Sequence, residues 1–115
     1  MDEIESWIPL STAMLHILLA LAGQERHGYA IMTKIANQSS GRYKMGPGTL
    51  YDNLDRLLEG GLVEEHNRRP ANDDPRRRYY RLTKLGKRVL SAEADRLAHV
   101  VKVVRTNLAP VKGGA

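Results

Sequence analysis

The most constraining feature of the sequence is one segment, GPGTLYDNLDRLLEGGLV, at residues 46–63. Pro47 stands where a helix begins and Gly60–Gly61 stand where it ends, which is the usual placement of these residue types. The apolar residues recur at helical spacing and form one stripe, made of Leu50, Leu54, Leu57 and Leu58. The pattern therefore predicts an amphipathic helix over 47–60.

The side of this helix opposite the leucines carries polar groups that can bind base edges or phosphates. These groups belong to Thr49, Asp52, Asn53 and Arg56. A solvated outer face explains the same pattern when the helix is considered alone. Asp52 would either accept a hydrogen bond from a cytosine amino group or pair with Arg56, four residues later. Both alternatives stay open for Asp52.

Two residues beside this polar side have roles of their own. Tyr51 borders the apolar stripe, so both core packing and phosphate contact are open to it. Gly48 lies in the first turn, where a small residue lets the helix N-terminus approach a phosphate. The run Gly46–Pro47–Gly48 lacks the lysine and hydroxyl residue of a nucleotide-binding loop, so we do not expect it to bind a nucleotide.

The segments after this helix predict an antiparallel hairpin. Residues 62–67 and 78–82 have the composition of strands, and 68–77 between them contains turn-forming Asn, Asp and Pro. Arginines cluster on both arms of the turn, at Arg68, Arg69, Arg76, Arg77 and Arg78. A solvated hairpin would also be charged, but this density of arginine beside a polar helix favours phosphate binding. A basic hairpin after such a helix is a winged helix-turn-helix.

Two helices precede the segment. The first, over 10–22, is apolar nearly all round, which indicates burial on more than one side. One side can pack on the core of its own chain, and the other would need to pack against something else, such as another subunit. A polar connection over 24–27 leads to the second helix, 28–38. We expect its apolar residues to face inward, namely Tyr29, Ile31, Met32, Ile35 and Ala36.

The last helix is predicted over 84–109, capped by Thr83, with a length of about 39 Å. Its apolar residues follow a heptad, at Leu90, Ala94, Leu97, Val101, Val104 and Leu108. We interpret this face as a dimer interface that also includes Leu15 and Leu19 of the first helix. The alternative is that the last helix packs only on the first helix of its own chain.

Composition excludes several classes of function. The chain has 115 residues, a formal net charge of +5 and no cysteine, so a basic single domain without disulfides is expected. Its four histidines are scattered, and no nucleotide-binding or hydrolase motif occurs, which predicts no enzyme, no metal and no cofactor. The acidic first residues and the short apolar run 13–22 predict a cytoplasmic protein without membrane contact.

Several motifs, in their order and spacing, resemble the PadR family of bacterial transcriptional regulators. They are HGY at 27–29, GTLY at 48–51, LDRL at 54–57, GLV at 61–63 and RYYRLT at 78–83, followed by Gly86. The resemblance covers roughly residues 10–90, and the single last helix resembles the compact branch of the family. It implies a homodimeric repressor. Some compact relatives bind flat aromatic drugs through tryptophans on the last helix, but this chain has no aromatic residue after Tyr80.

The predicted fold is a mostly α winged helix-turn-helix over 1–83, a dimerisation helix over 84–110 and a loose tail over 111–115. The expected partners are double-stranded operator DNA, a second copy of the chain and, as an open question, a small-molecule effector at the dimer interface. The alternatives are a winged-helix protein-interaction module without DNA and a small-molecule carrier. The predicted DNA-binding residues are Lys44, Gly48, Thr49, Tyr51, Asp52, Asn53, Arg56, Arg68, Arg69, Arg76, Arg77 and Arg78.

Overall fold

The computed structural model describes residues 3–66 and 74–110. Within these ranges the chain forms four helices and three strands. They are α1 (Thr12–Leu21), β1 (Arg26–His27), α2 (Gly28–Gln38), α3 (Pro47–Glu59), β2 (Val63–His66), β3 (Tyr79–Leu82) and α4 (Lys84–Leu108). The predicted fold class, a mostly α winged helix-turn-helix with a long last helix, is confirmed.

The helix ends follow local chemistry. The Ser11 hydroxyl accepts a hydrogen bond from the Met14 N–H at 3.2 Å, so α1 begins at Thr12, two residues later than predicted. Helix α3 begins at Pro47 and is capped by Gly60, after which Gly61 adopts φ +80°, a conformation that favours glycine. The Thr83 hydroxyl caps α4 by accepting from the Gly86 N–H at 3.0 Å.

The three strands form an antiparallel sheet in the order β1-β3-β2. Arg26 of β1 pairs with Tyr80 of β3, and Val63 of β2 pairs with Leu82. Strand β1 was not predicted, because two residues are too short to show a strand period. Its pairing depends on the edge that β3 offers. Strand β1 joins the start of α2 to the hairpin. We call this hairpin the wing; it consists of β2, β3 and the segment between them.

The core lies where α1, α2 and α3 meet the sheet. Its fully buried side chains include Ile17 and Leu18 of α1, Ile31 of α2, and Leu50 and Leu54 of α3. Leu57 is also fully buried and Leu58 is half-buried against the core, so the stripe of α3 faces inward as predicted.

One inward-facing prediction for α2 is wrong. Tyr29 is 71% exposed, the most exposed aromatic side chain among those described. Tyr29 lies two residues, about 200°, from the buried Ile31, and it shares its outer side with the exposed Thr33 and Asn37. Because Tyr29 also lies three residues before the half-buried Met32, the helical spacing alone puts it at the edge of the apolar side and does not predict its exposure.

Helix α4 extends beyond the body of the domain. Its 25 residues span about 37 Å, and the radius of gyration is 17.3 Å against about 13 Å for a compact chain of this length. Near its start α4 forms an apolar groove of about 550 Å³ with α1, which we call the α1–α4 groove. Its lining includes Leu15, Leu19, Leu90, Ala94 and Leu97.

The apolar face of α4 continues past this groove into solvent. Val100, Val101, Val103 and Val104 are 41–47% exposed, and Leu108 is 79% exposed. None of the helices in the described ranges is long and apolar enough to cross a membrane.

Candidate nucleic-acid interface

The outer side of α3 presents the polar residues that the sequence predicted. Thr49, Asp52 and Arg56 are exposed, and Asn53 is half-buried. The Asn53 side-chain N–H donates a hydrogen bond to the Thr49 carbonyl at 2.8 Å. This bond orients the amide and leaves its oxygen and its second N–H for another partner.

Asp52 and Arg56 make no ion pair with each other or with another residue in the described part of the chain. Arg56 lies instead beside Trp7 and Glu59 at the C-terminal end of α3. Since Arg56 makes no ion pair with Glu59 or with any other described residue, its guanidinium is available to another partner. Of the two alternatives for Asp52, pairing with Arg56 is absent from this structure.

The start of α3 is open on its outer side. Lys44 and Gly48 are both exposed. A Cβ atom built on Gly48 would have no atom within 4 Å, so packing inside this chain does not require glycine at that position. Tyr51 is 43% exposed and outside the core, and it packs against the start of α2.

The wing arginines are held by acidic partners. The Arg76 guanidinium donates to both carboxylate oxygens of Asp74, at 3.2 and 3.1 Å, and Arg76 N–H donates to the same carboxylate at 2.9 Å. Arg78 pairs across the strands with Glu65 and lies 5.8 Å from the centre of the Tyr80 ring. The hydrogen bond to Glu65 raises the pKa of Arg78 above its ordinary value.

These partners reduce the free positive charge that a count of arginines predicts. Arg81 of β3 also pairs with Glu64 at 2.8 Å, so the two acidic residues of β2 pair with Arg81 and with Arg78, which directly precedes β3. Opposite charges that face each other across two antiparallel strands stabilise the pair, so such ion pairs can be predicted once the strand register is known. That register was not available from the sequence. Arg77 is exposed, and Arg68 and Arg69 lie outside the described residues.

The predicted interface residues occupy two surfaces. Lys44, Gly48, Thr49, Asp52 and Arg56 lie on or before α3. Arg76 and Arg78 line a recess of about 300 Å³ together with Tyr51 of α3 and Tyr29 of α2. Sequence reasoning missed Tyr29 as part of this surface, for the reason given above.

Comparison with known proteins agrees with this architecture. Residues 17–92 match the model of the transcriptional regulator PadR-like family. A transcriptional regulator of Mycobacterium tuberculosis is 33% identical over 90 residues, which cover 78% of this chain and 79% of that protein.

Two solved structures share the fold. A PadR family transcription regulator from Clostridium difficile has a TM-score of 0.72 at 23% identity, covering 86% of this chain and all of that chain. Bacillus subtilis PadR in complex with operator DNA has a TM-score of 0.62 at 21% identity, covering 73% of this chain and 47% of that chain. These two structures show the shared fold. The match over residues 17–92 shows that the chain belongs to the PadR-like family, whose members are transcriptional regulators and not enzymes.

Proposed function

We propose that this regulator binds double-stranded operator DNA with α3 in the major groove and the wing on the sugar-phosphate backbone. The observation that carries the proposal is the arrangement of α3, whose leucines face the core while Thr49, Asp52 and Arg56 are exposed. An amide and a guanidinium on one exposed helix side can pair with adenine and guanine, respectively. The related Bacillus subtilis PadR, which shares the fold, was solved with operator DNA.

We further propose that the functional unit is a homodimer. The α1–α4 groove and the exposed valines of α4 leave a continuous apolar face that a single chain does not cover. The heptad spacing of that face is suited to packing against another helix. A second copy would cover both surfaces at once, since the groove of each chain would receive the outer half of the other's α4.

A symmetric dimer presents two copies of α3 to DNA. The operator is therefore an inverted repeat whose half-sites lie about one helical turn apart, or a multiple of that. Occupying such a site represses transcription without any surface beyond those that bind DNA. We propose that a small molecule releases the dimer from the operator by binding at the interface between the two chains. Leu15, Leu19, Val100 and Val104 would hold this ligand by aliphatic contact.

The test is a gel-shift with the DNA upstream of the protein's own gene, followed by footprinting. The expected result is a shifted complex and two protected half-sites related by a two-fold axis. Protection of one asymmetric site would contradict the dimeric part of the proposal. A protein that shifts no DNA but captures another protein would favour the interaction-module alternative.

A further inference from the structure

Two tyrosines from different helices line the recess between the body and the wing. Tyr29 stands at the start of α2, Tyr51 stands on α3, and the segment 74–78 of the wing forms the third side. We call this recess the tyrosine niche. Its volume is about 300 Å³, and it opens to solvent.

Neither tyrosine is needed by the core. Tyr29 is 71% exposed and Tyr51 is 43% exposed. In the ranges that the structure describes, neither hydroxyl makes a hydrogen bond. A phenol hydroxyl is both a donor and an acceptor, and a large exposed aromatic side chain beside a polar surface is typical of a binding site.

The contact between Tyr51 and Gly28 fixes one side of the niche. A Cβ atom built on Gly28 would lie 2.2 Å from the Tyr51 hydroxyl oxygen and 2.9 Å from the ring carbon that carries it. Only glycine at the first position of α2 lets the phenol lie there. The fold therefore brings the Tyr51 hydroxyl next to the residue that precedes Tyr29.

The charged groups of the niche favour an anion. Its wing side carries three guanidinium groups, those of Arg76, Arg77 and Arg78. Arg76 is paired with Asp74 and Arg78 with Glu65, so three positive groups face two carboxylates and the local charge stays positive. The Arg76 guanidinium holds the Asp74 carboxylate through two hydrogen bonds, and a guanidinium binds phosphate oxygens with the same fork of donors.

We propose that Tyr29 and Tyr51 bind one backbone phosphate of DNA in the tyrosine niche. Each hydroxyl would donate a hydrogen bond to a phosphate oxygen. This inference rests on the proposed function, because it names an additional contact within the same complex. It extends the interface to α2, which the sequence had assigned only to the core. The niche joins the surface of α3 to that of the wing.

A neutral donor to phosphate has its own experimental signature. Arginine that binds phosphate releases a counterion and contributes about 0.9 to the slope of log affinity against log salt. A hydroxyl carries no charge, so its loss lowers affinity and leaves the slope unchanged. Because every duplex has phosphates, the loss is equal on operator and scrambled DNA, unlike the loss of a base contact.

The experiment measures the affinity of the full chain for operator and scrambled duplexes by fluorescence anisotropy at several salt concentrations. The variants are Tyr29→Phe, Tyr51→Phe and the double variant, and Tyr43→Phe is the control. Tyr43 is half-buried, and its ring stacks on His16 at 4.7 Å, away from the niche lining. Because phenylalanine keeps the ring, the fold of each variant should be unchanged. The melting temperature of each variant checks this.

Each single variant is expected to bind both duplexes roughly fivefold to tenfold more weakly, with an unchanged salt slope. Tyr43→Phe should bind like the wild type. Unchanged affinities in the double variant would overturn the proposal that the niche binds a phosphate. In that case, operator binding by the wild type would still support the proposed function. A loss confined to the operator would show base contact and overturn it as well. If the wild type bound neither duplex, the proposed function would fail together with the inference.

Discussion

The buried carboxylate of Glu93, on α4, accepts a hydrogen bond from the backbone N–H of Leu10 at 2.8 Å, across 83 positions of the chain. The same carboxylate receives the guanidinium of Arg96 at 2.5 and 3.1 Å. Leu10 lies just before α1, so this one side chain joins the entry of the first helix to the middle of the last. The two helices that form the α1–α4 groove are thereby held together.

Removing the charge of Glu93 should destabilise the protein in a pH-dependent manner. The hydrogen bonds from Arg96 and then the Leu10 N–H lower the pKa of Glu93 below its ordinary 4.5, although burial opposes them. A lowered folded-state pKa gives stability that is present above the unfolded pKa and is lost as pH falls through the folded pKa. Glu93→Gln should therefore cost about 1–3 kcal/mol near pH 7 and progressively less below pH 4.5.

Urea unfolding at several pH values measures this difference. Asp95→Asn is the matched control, because Asp95 is an exposed carboxylate on the same helix. Its unfolding free energy should stay within about 0.5 kcal/mol of the wild type. A Glu93→Gln penalty that was constant from pH 7 to pH 3 would show that packing, and not charge, is the important property of Glu93.

The outer half of α4 should decide the oligomeric state. Val104 is 47% exposed in the single chain, so a substitution there has little effect on the packing of one chain. Val104→Asp should convert a dimer into a monomer, because it places a charge in the proposed apolar interface. Sedimentation equilibrium at low micromolar concentration measures the mass. Lys102→Asp, on the same helix, should remain dimeric, and a wild-type monomer would contradict the proposal.

The wing and α3 should differ in the kind of DNA contact they make. Arg76→Ala should weaken binding to operator and scrambled duplexes alike and lower the salt slope by about 0.9. Asn53→Ala should cost roughly 1–3 kcal/mol on the operator only, with the slope nearly unchanged. A salt titration of both variants measures these effects. If Asn53→Ala weakened both duplexes equally, Asn53 would be a backbone contact and not a base contact.

Gly48→Ala should separate stability from DNA affinity. A Cβ atom at Gly48 meets nothing within 4 Å, so alanine is expected to stabilise α3 by about 0.5–1 kcal/mol. If the start of α3 approaches a phosphate closely, the added methyl group should nevertheless weaken binding to both duplexes. Thermal unfolding and anisotropy measure the two quantities. A stabilised variant with undiminished affinity would show that the backbone at Gly48 does not approach DNA.

The sequence alone was sufficient for the helices, the wing and the buried side of α3. These features follow from local rules. Pro47, Gly60 and Thr83 determine helix ends through backbone geometry and hydrogen bonding, and the leucine stripe follows the helical period. Such signals lie within a few residues of the element that they define.

Only the tertiary structure decided the relationships between distant residues. Three contacts depend on how helices and strands pack together, namely those of Glu93 with Leu10, of Arg78 with Glu65 and of Tyr51 with Gly28. Strand β1 exists because β3 offers it an edge, although its two residues have no strand pattern of their own. The niche on the outer side of α2 arises for the same physical reason, since three separate segments must meet to form it.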